Sequence, residues 1–359
     1  MSQQIRVLLI APSLRILGGQ AVQATRLLRE LRKEPELAID FQAINPDFPS
    51  LLAWVKQVPY LRTALTFLLY NVQLLTRIPR YDLIHTFSAG LSSYTLWTIP
   101  AVLYSRLFGK KFILNYRDGQ IEEHLTQWRS AAPTIRMADV IISPSDYVVD
   151  VLRRHDIAAS AIFNVIDMTP FRFRARRKLR PVFMTNRILE PLYNVDCILR
   201  AFQIIQQRYP GASLKIAHDG VCRPHLEALA RELGLRNTEF VGRVPHPKVP
   251  DLYDEADIYL TSPNIDCMPG SLLECYASGL PLVATRTGGI PYLVRDGETG
   301  LLVDCNDHEA MARCALRLLE DPDLVERITR QGYAELDKYD WGKGGIGRKW
   351  MEVYRKLAS

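Results

Sequence analysis

Residues 258–285 read IYLTSPNIDCMPGSLLECYASGLPLVAT, and this stretch decides the fold. Ile258–Thr261 and Leu282–Thr285 are short apolar runs of the kind buried in parallel sheets. Between them a Pro- and Gly-bearing loop delivers the chain into 271–278, which reads as a helix. Strand, loop, helix and strand make one crossover unit, and the unit recurs. Further strands are predicted at 180–184, 213–217, 238–241 and 301–303, alternating with helices at 196–209, 224–233, 248–255 and 309–320. Toward the N-terminus, strands at 6–11, 82–86, 111–115 and 139–143 alternate with helices at 21–32, 94–108 and 146–154. Such alternation predicts an α/β protein with two Rossmann-like halves, each a parallel sheet covered on both faces. A length of 359 residues fits two domains of about 150 residues.

Hydrophobic residues make up 48% and charged residues 23%, which excludes a disordered, collagen-like or disulfide-framework chain. The formal net charge of +6 has one source. RFRARRKLR, residues 172–180, carries six basic and no acidic groups, and the remainder balances at 39 and 39. The expected domains are 1–168 and 169–344, with a C-terminal helix at about 345–359 returning to the first. The basic run therefore falls at the expected interdomain joint. It reads as a solvated linker, or more sharply as a contact for an anionic membrane surface or a phosphate-bearing lipid acceptor. All six cysteines lie in the second half and none forms a C-x-x-C pair, so reduced thiols in a cytoplasmic protein are expected, with no metal site. The five-residue apolar run near the N-terminus is too short for a signal peptide core. Residues 63–76 are uncharged but fall short of the ~20 that span a bilayer. A core helix is the preferred reading there, with an interfacial helix flanked by Arg62, Arg77 and Arg80 as the alternative.

Asp266 and Glu274 flank the Met268-Pro269-Gly270 loop, with seven residues between them. Backbone N–H groups at the start of the following helix would face an anion placed there. Glu274, one turn inside, can accept hydrogen bonds from vicinal hydroxyls such as those of a ribose. A lone pair of acids at a helix start is ordinarily only a cap or dipole partner.

The stretch resembles the E-x7-E signature of retaining GT-B glycosyltransferases, specifically glycosyltransferase family 4 (group 1). TGGIPYLVRDGETGLLV at 287–303 resembles that family's downstream segment, as do Gly18-Gly19, ADVIISPS at 138–145, NVID at 164–167 with Phe171, and FVGRV at 240–244. The resemblance runs in order over about residues 5–357. It implies a GT-B fold, two Rossmann-like domains with parallel sheets facing across an interdomain cleft. It implies a retaining, metal-independent hexosyltransferase that moves sugar from a UDP- or GDP-linked donor, with no cofactor besides that substrate. The acceptor would be a glycan or lipid-linked molecule in cell-surface polysaccharide or glycolipid synthesis, and the protein would be cytoplasmic or peripheral on the inner face of the membrane. Residue by residue, it gives Glu274 the ribose and Asp266 the donor sugar. Met268, Pro269, Gly270 and Ser271 take the sugar or diphosphate, with Gly18 and Gly19 beside the phosphates. Gly242 and Arg243 flank the base, and Arg187 pairs with the diphosphate.

This sequence departs from the family pattern in three places that bear on chemistry. The leading Glu is Asp266, a change similar to one in a bacterial subgroup with D-x7-E. The family's diphosphate lysine is missing, and Leu192, Tyr193 or Asn194 occupies that region. The first-half loop that often presents a His reads Asn115-Tyr116-Arg117-Asp118, so Arg117 is expected to supply cationic stabilisation. A dehydrogenase is disfavoured because residues 14–21 read LRILGGQA rather than G-x-G-x-x-G, and no phosphate-loop NTPase motif is present. One basic run without an aromatic platform does not indicate nucleic-acid binding. The remaining alternatives are a catalytically silent GT-B sugar-nucleotide-binding protein and, further off, a nucleotide-sugar 2-epimerase.

Overall fold

A computed structural model of the chain describes residues 4–14, 19–46, 48, 54 and 58–359. Two compact units emerge, Met1–Val165 with Trp341–Ser359, and Ile166–Asp340. The first contains β1 (Ile5–Ala11), α1 (Gly19–Leu31), β2 (Leu37–Ala43), α2 (Pro59–Arg77) and β3 (Leu83–Ser88). Next come α3 (Leu91–Ser93) and, through a π-helical turn, α4 (Ile99–Leu107). The unit continues with β4 (Lys111–Tyr116), α5 (Ile121–Gln127), α6 (Ala131–Ile135), β5 (Val140–Ser143), α7 (Asp146–Arg154) and β6 (Ser160–Ala161). Its six strands run parallel in the order β2-β1-β3-β4-β5-β6. β1 is wholly buried from Val7 to Ala11 because it lies between two neighbours under a helical layer. β2 is absent from the predicted strands: at the sheet edge its residues alternate in burial, so it shows no continuous apolar run.

The second unit contains β7 (Val182–Thr185), α8 (Val195–Arg208), β8 (Ser213–Ile216), α9 (Arg223–Glu232), β9 (Thr238–Phe240) and α10 (Val249–Glu255). It continues with β10 (Ile258–Thr261), α11 (Gly270–Ser278), β11 (Leu282–Thr285), α12 (Ile290–Leu293), β12 (Leu301–Val303), α13 (His308–Glu320) and α14 (Pro322–Ala334). Its sheet is also parallel, in the order β12-β11-β10-β7-β8-β9. Asp307 and Asp321 cap α13 and α14 by accepting from Ala310 and Leu324 N–H at 2.7 and 2.9 Å.

The last helix, α15 (Ile346–Ala358), belongs to the first unit. Trp350, Met351 and Tyr354 enter the core that β1, β3 and α1 share. His85 of β3, fully buried, joins α15 to β4. The Asn115 amide donates to Nε2 at 3.1 Å, so the neutral ring carries its proton on Nδ1 and donates to the Tyr354 oxygen at 2.7 Å. Burial first, and then the nearby Arg117 charge, pushes the His85 pKa down to about 3.

Two sequence expectations change. Residues 63–76 do form a helix, α2, but only one face is core: Thr66, Tyr70 and Leu74 are buried, and the other face is exposed. The basic run is not a solvated linker. Arg174 and Arg180 both pair with Asp257, whose side chain is 3% exposed. Arg180 donates its backbone N–H and Nε to one carboxylate oxygen at 2.7 and 2.9 Å. Arg176, buried as deeply, donates to the carbonyls of Ser278, Tyr253 and Ala256. Arg177 pairs with Glu326 at 2.9 Å. Four of the six basic side chains are thus tied to the second unit, because a buried Asp demands positive partners.

Asp257→Asn should cost about 3 kcal/mol in denaturant unfolding, since Arg176 loses its nearest anion, whereas Arg177→Gln at an exposed pair should cost under about 1 kcal/mol. The buried neutral His85 binds a proton more weakly in the folded than in the unfolded chain. Stability should therefore fall as pH drops below the ordinary imidazole range. His85→Gln should remove about 2 kcal/mol of that fall between about pH 7 and about pH 5, measured by urea unfolding at both pH values.

Candidate functional site

In the second unit successive strands β7, β8 and β9 step one way, and β10, β11 and β12 step the other. The loops leaving β7 and β10 therefore diverge, and a crevice opens at the strand C-termini, where α/β sheets take ligands. Arg187 leaves β7 two residues past its end, and Asp266 sits on the loop from β10 to α11. One guanidinium nitrogen of Arg187 donates to an Asp266 oxygen, and another to Ser271 Oγ at 3.3 Å. The guanidinium also lies over the Tyr193 ring, 4.4 Å from its centroid. Burial opposes the arginine's charge, but Asp266 together with Tyr193, Tyr259 and Tyr253 more than offsets this and holds its pKa above the ordinary value.

Pro269 precedes α11 in extended conformation, and no side chain caps the helix. The Gly270 and Ser271 N–H groups are thus open to an anion at the end toward which Arg187 reaches, while Leu272 N–H donates to the Pro269 carbonyl at 3.3 Å. The Asp266 loop is fixed from behind. Gly289 N–H donates to the Asp266 carbonyl at 2.8 Å, while Gly288 has φ +51° and an added Cβ would lie 2.2 Å from the same oxygen. Only glycine fits there. By contrast, a Cβ on Gly270 would meet nothing within 4 Å, so packing does not require glycine at the helix start.

Glu274, half-buried one turn inside α11, is oriented by Tyr253, whose hydroxyl donates to Oε2 at 2.8 Å. Burial, and then the Glu274 charge, pushes the Tyr253 pKa well up, so the phenol stays a donor. Asn186 donates to the Tyr253 oxygen at 3.0 Å and accepts from Tyr259 Oη at 2.8 Å, and the two tyrosine rings stack. Sequence reading singled out none of Asn186, Tyr253 and Tyr259. Both tyrosines sit among core residues of α10 and β10, and nothing in their spacing separates a carboxylate anchor from packing.

The structure thus gathers Arg187, Asp266, Ser271 and Tyr193, with Glu274 joined through Tyr253. Met268, Pro269 and Gly270 form the approach to α11. Asn194 has a different role: left-handed at φ 46°, it opens α8, and its amide donates to Asn264 and Asn306 at 3.3 and 2.8 Å. Gly242 and Arg243 follow β9, two strands from β7. Arg243 is exposed, and Gly242 has φ +73°. Gly18 lies outside the described residues; Gly19 opens α1, and a Cβ there would meet nothing within 4 Å. Arg117, in the other unit, follows β4, donates to Asn115 Oδ1 at 3.2 Å and to Asn164, and lies 4.4 Å over the Phe87 ring. Two buried histidines stand near it in sequence or contact, His85 through Asn115 and His124 against the Tyr116 hydroxyl at 3.0 Å. The second-unit site can therefore hold an anion between a guanidinium and a helix start, with two carboxylates placed to accept from hydroxyls.

Residues 170–335 match the family described as Glycosyl transferases group 1. The chain is 30% identical over 290 residues to the D-inositol 3-phosphate glycosyltransferase of Corynebacterium jeikeium (strain K411), covering 73% of this chain and 69% of that protein. Against the enzyme of the same name from Saccharomonospora viridis it is 27% identical over 309 residues, covering 77% and 70%. Among solved structures, Anabaena HepE in complex with UDP-glucose superposes with a TM-score of 0.75 at 16% identity, covering 98% of this chain and 100% of that one. Sucrose-phosphate synthase from Thermosynechococcus elongatus gives 0.74 at 18% identity, covering 99% of each. These likenesses give the fold as GT-B, and the chain belongs to the group 1 glycosyltransferases.

Proposed function

We propose that this glycosyltransferase takes a UDP- or GDP-linked sugar and transfers it with retention to a glycan or lipid-linked acceptor, in cell-surface polysaccharide or glycolipid synthesis. The observation that carries this reading is the meeting of the Arg187 guanidinium with the uncapped start of α11 at the strand-order reversal. A departing diphosphate develops negative charge ahead of acceptor attack, and both features stabilise that charge. In the structure the guanidinium's partner is Asp266, so the donor diphosphate has to compete with that carboxylate. Once freed, Asp266 can accept from hydroxyls of the donor sugar, while Glu274, held by Tyr253, accepts from the ribose. Tyr193, its ring centroid 4.4 Å from the guanidinium carbon, is one of the residues in the region of the family's lysine. It keeps the guanidinium plane oriented while adding no charge. Gly18, Gly19, Gly242, Arg243 and Arg117 retain the donor-side and cationic roles given them by resemblance. No side chain of the site stands out as a general base; the leaving phosphate oxygen takes the acceptor proton.

The missing lysine favours one other reading, a catalytically silent sugar-nucleotide-binding protein. A donor screen separates the two, because a true donor stabilises the fold in a thermal shift and is also turned over. With the donor so found, Arg187→Ala should lower turnover at least about a hundredfold while the free protein still melts cooperatively, at a temperature lowered by the loss of Asp266's partner. Unchanged turnover would remove Arg187 from the mechanism. No step in this reading passes through a metal, so EDTA should leave the rate unchanged.

A further inference from the structure

The outward side of α2 is apolar. Its inward side is anchored by Tyr70, whose hydroxyl donates to the Trp97 carbonyl at 2.8 Å. Its outward side presents Tyr60, Leu61, Phe67, Leu68, Val72 and Leu75, with Tyr60 92% and Leu68 57% exposed. α4 lies alongside, since Tyr104 Oη donates to Asn71 Oδ1 at 3.0 Å and Trp97 packs on Phe67 and Tyr70. It adds Leu103 and Leu107, 47% and 69% exposed. Scattered surface leucines need no explanation, but contiguous apolar side chains on two neighbouring helices mark a contact face.

The charge around that face identifies its partner. Residues 48–117 contain eight Lys and Arg and a single acid, Asp82, which is already held by Arg6 at 2.9 Å. Arg62 stands in the first turn of α2, Arg80 just past its end and Lys110 just past α4, whereas Arg106 at the end of α4 already donates to the Met137 carbonyl at 2.7 Å and lies 3.6 Å from Asp139. A second copy of this chain would bring the same positive charge against itself. An anionic bilayer offers the complement, acyl boundary for the apolar side chains and phosphate headgroups for the basic rim. We propose that α2 and α4 dock on an anionic membrane surface, with α2 lying in the plane of the interface. No helix among the described residues is long and apolar enough to cross a membrane. The docking site is thus here and not in the 172–180 run, whose charge is largely engaged by Asp257 and neighbouring carbonyls.

The test is co-sedimentation of the full chain with phosphatidylglycerol-containing vesicles against pure phosphatidylcholine vesicles. No donor or acceptor is present, so its failure leaves the transferase reading standing. Wild type should pellet with the anionic vesicles and be released by salt. Leu68→Gln with Val72→Gln, and separately Leu103→Gln with Leu107→Gln, should weaken binding about tenfold or more, as should Arg62→Glu with Arg80→Glu. All these positions are exposed, and matching thermal melts would show that the variants fold. Arg172→Gln with Lys178→Gln should leave binding intact. Absence of wild-type binding, equal binding by the apolar variants, or a dimer in light scattering that Leu68→Gln with Val72→Gln dissociates would overturn the proposal, the last by giving the face to a second copy.

Discussion

Burying a carboxylate costs several kcal/mol unless cations answer it, and Asp257 makes the second unit obey that constraint. Its own N–H donates to the Val182 carbonyl at 2.9 Å, and its side chain accepts from the Arg180 backbone. The entry ends of β7 and β10 are thereby locked together, which sets the pairing of Ile258 with Phe183 and Tyr259 with Met184. At their exit ends the same two strands deliver Arg187 and Asp266. Register in a parallel pair leaves little slack over four residues, so an ion cluster at one end of the sheet positions the chemistry at the other. Arg176 extends the lock to the carbonyls of Tyr253 and Ser278, at the ends of the helices that carry the Glu274 anchor and Glu274 itself.

Around the crevice, each charged group is held by something without net charge. Tyr193 supports Arg187, Tyr253 supports Glu274, and Gly288 lets the backbone close behind Asp266. Such neutral support keeps a site rigid without cancelling the charges a ligand needs. Arg187 and Asp266 also pair with each other, and both are functional candidates.

Much of this was legible in the sequence, for a physical reason. Central strands such as β10 and β11 are continuous apolar runs bounded by turn residues, as is β12 although it lies at the sheet edge, and the predicted limits of all three coincide with the observed ones. The edge strand β2 has no such run, and α14 falls in a polar stretch whose stripe, Leu324, Val325 and Ile328, is short. Asp266, Glu274 and Arg187 stood out because their chemistry is tied to motif spacing. Tyr253, Asn186 and His85 did not, because a buried polar residue looks like core until its partner, distant in sequence, is known. The 172–180 run misled for the same reason: its counter-charge, Asp257, lies some eighty residues downstream.

The docking of α15 beside His85 bears on the order in which the protein is made. The second unit is one uninterrupted segment, and all its strands are present once residue 340 has been synthesised. The first unit needs Trp350 and Tyr354, the far end of the chain, to finish the core that β1 begins. On a ribosome the core of this unit is therefore completed last, and its six-stranded sheet, all of whose strands are already made, stays uncovered on the α15 side while the other unit folds. A chaperone with affinity for exposed apolar surface would meet this protein first at the β3–α1 core, where Trp350 has yet to arrive.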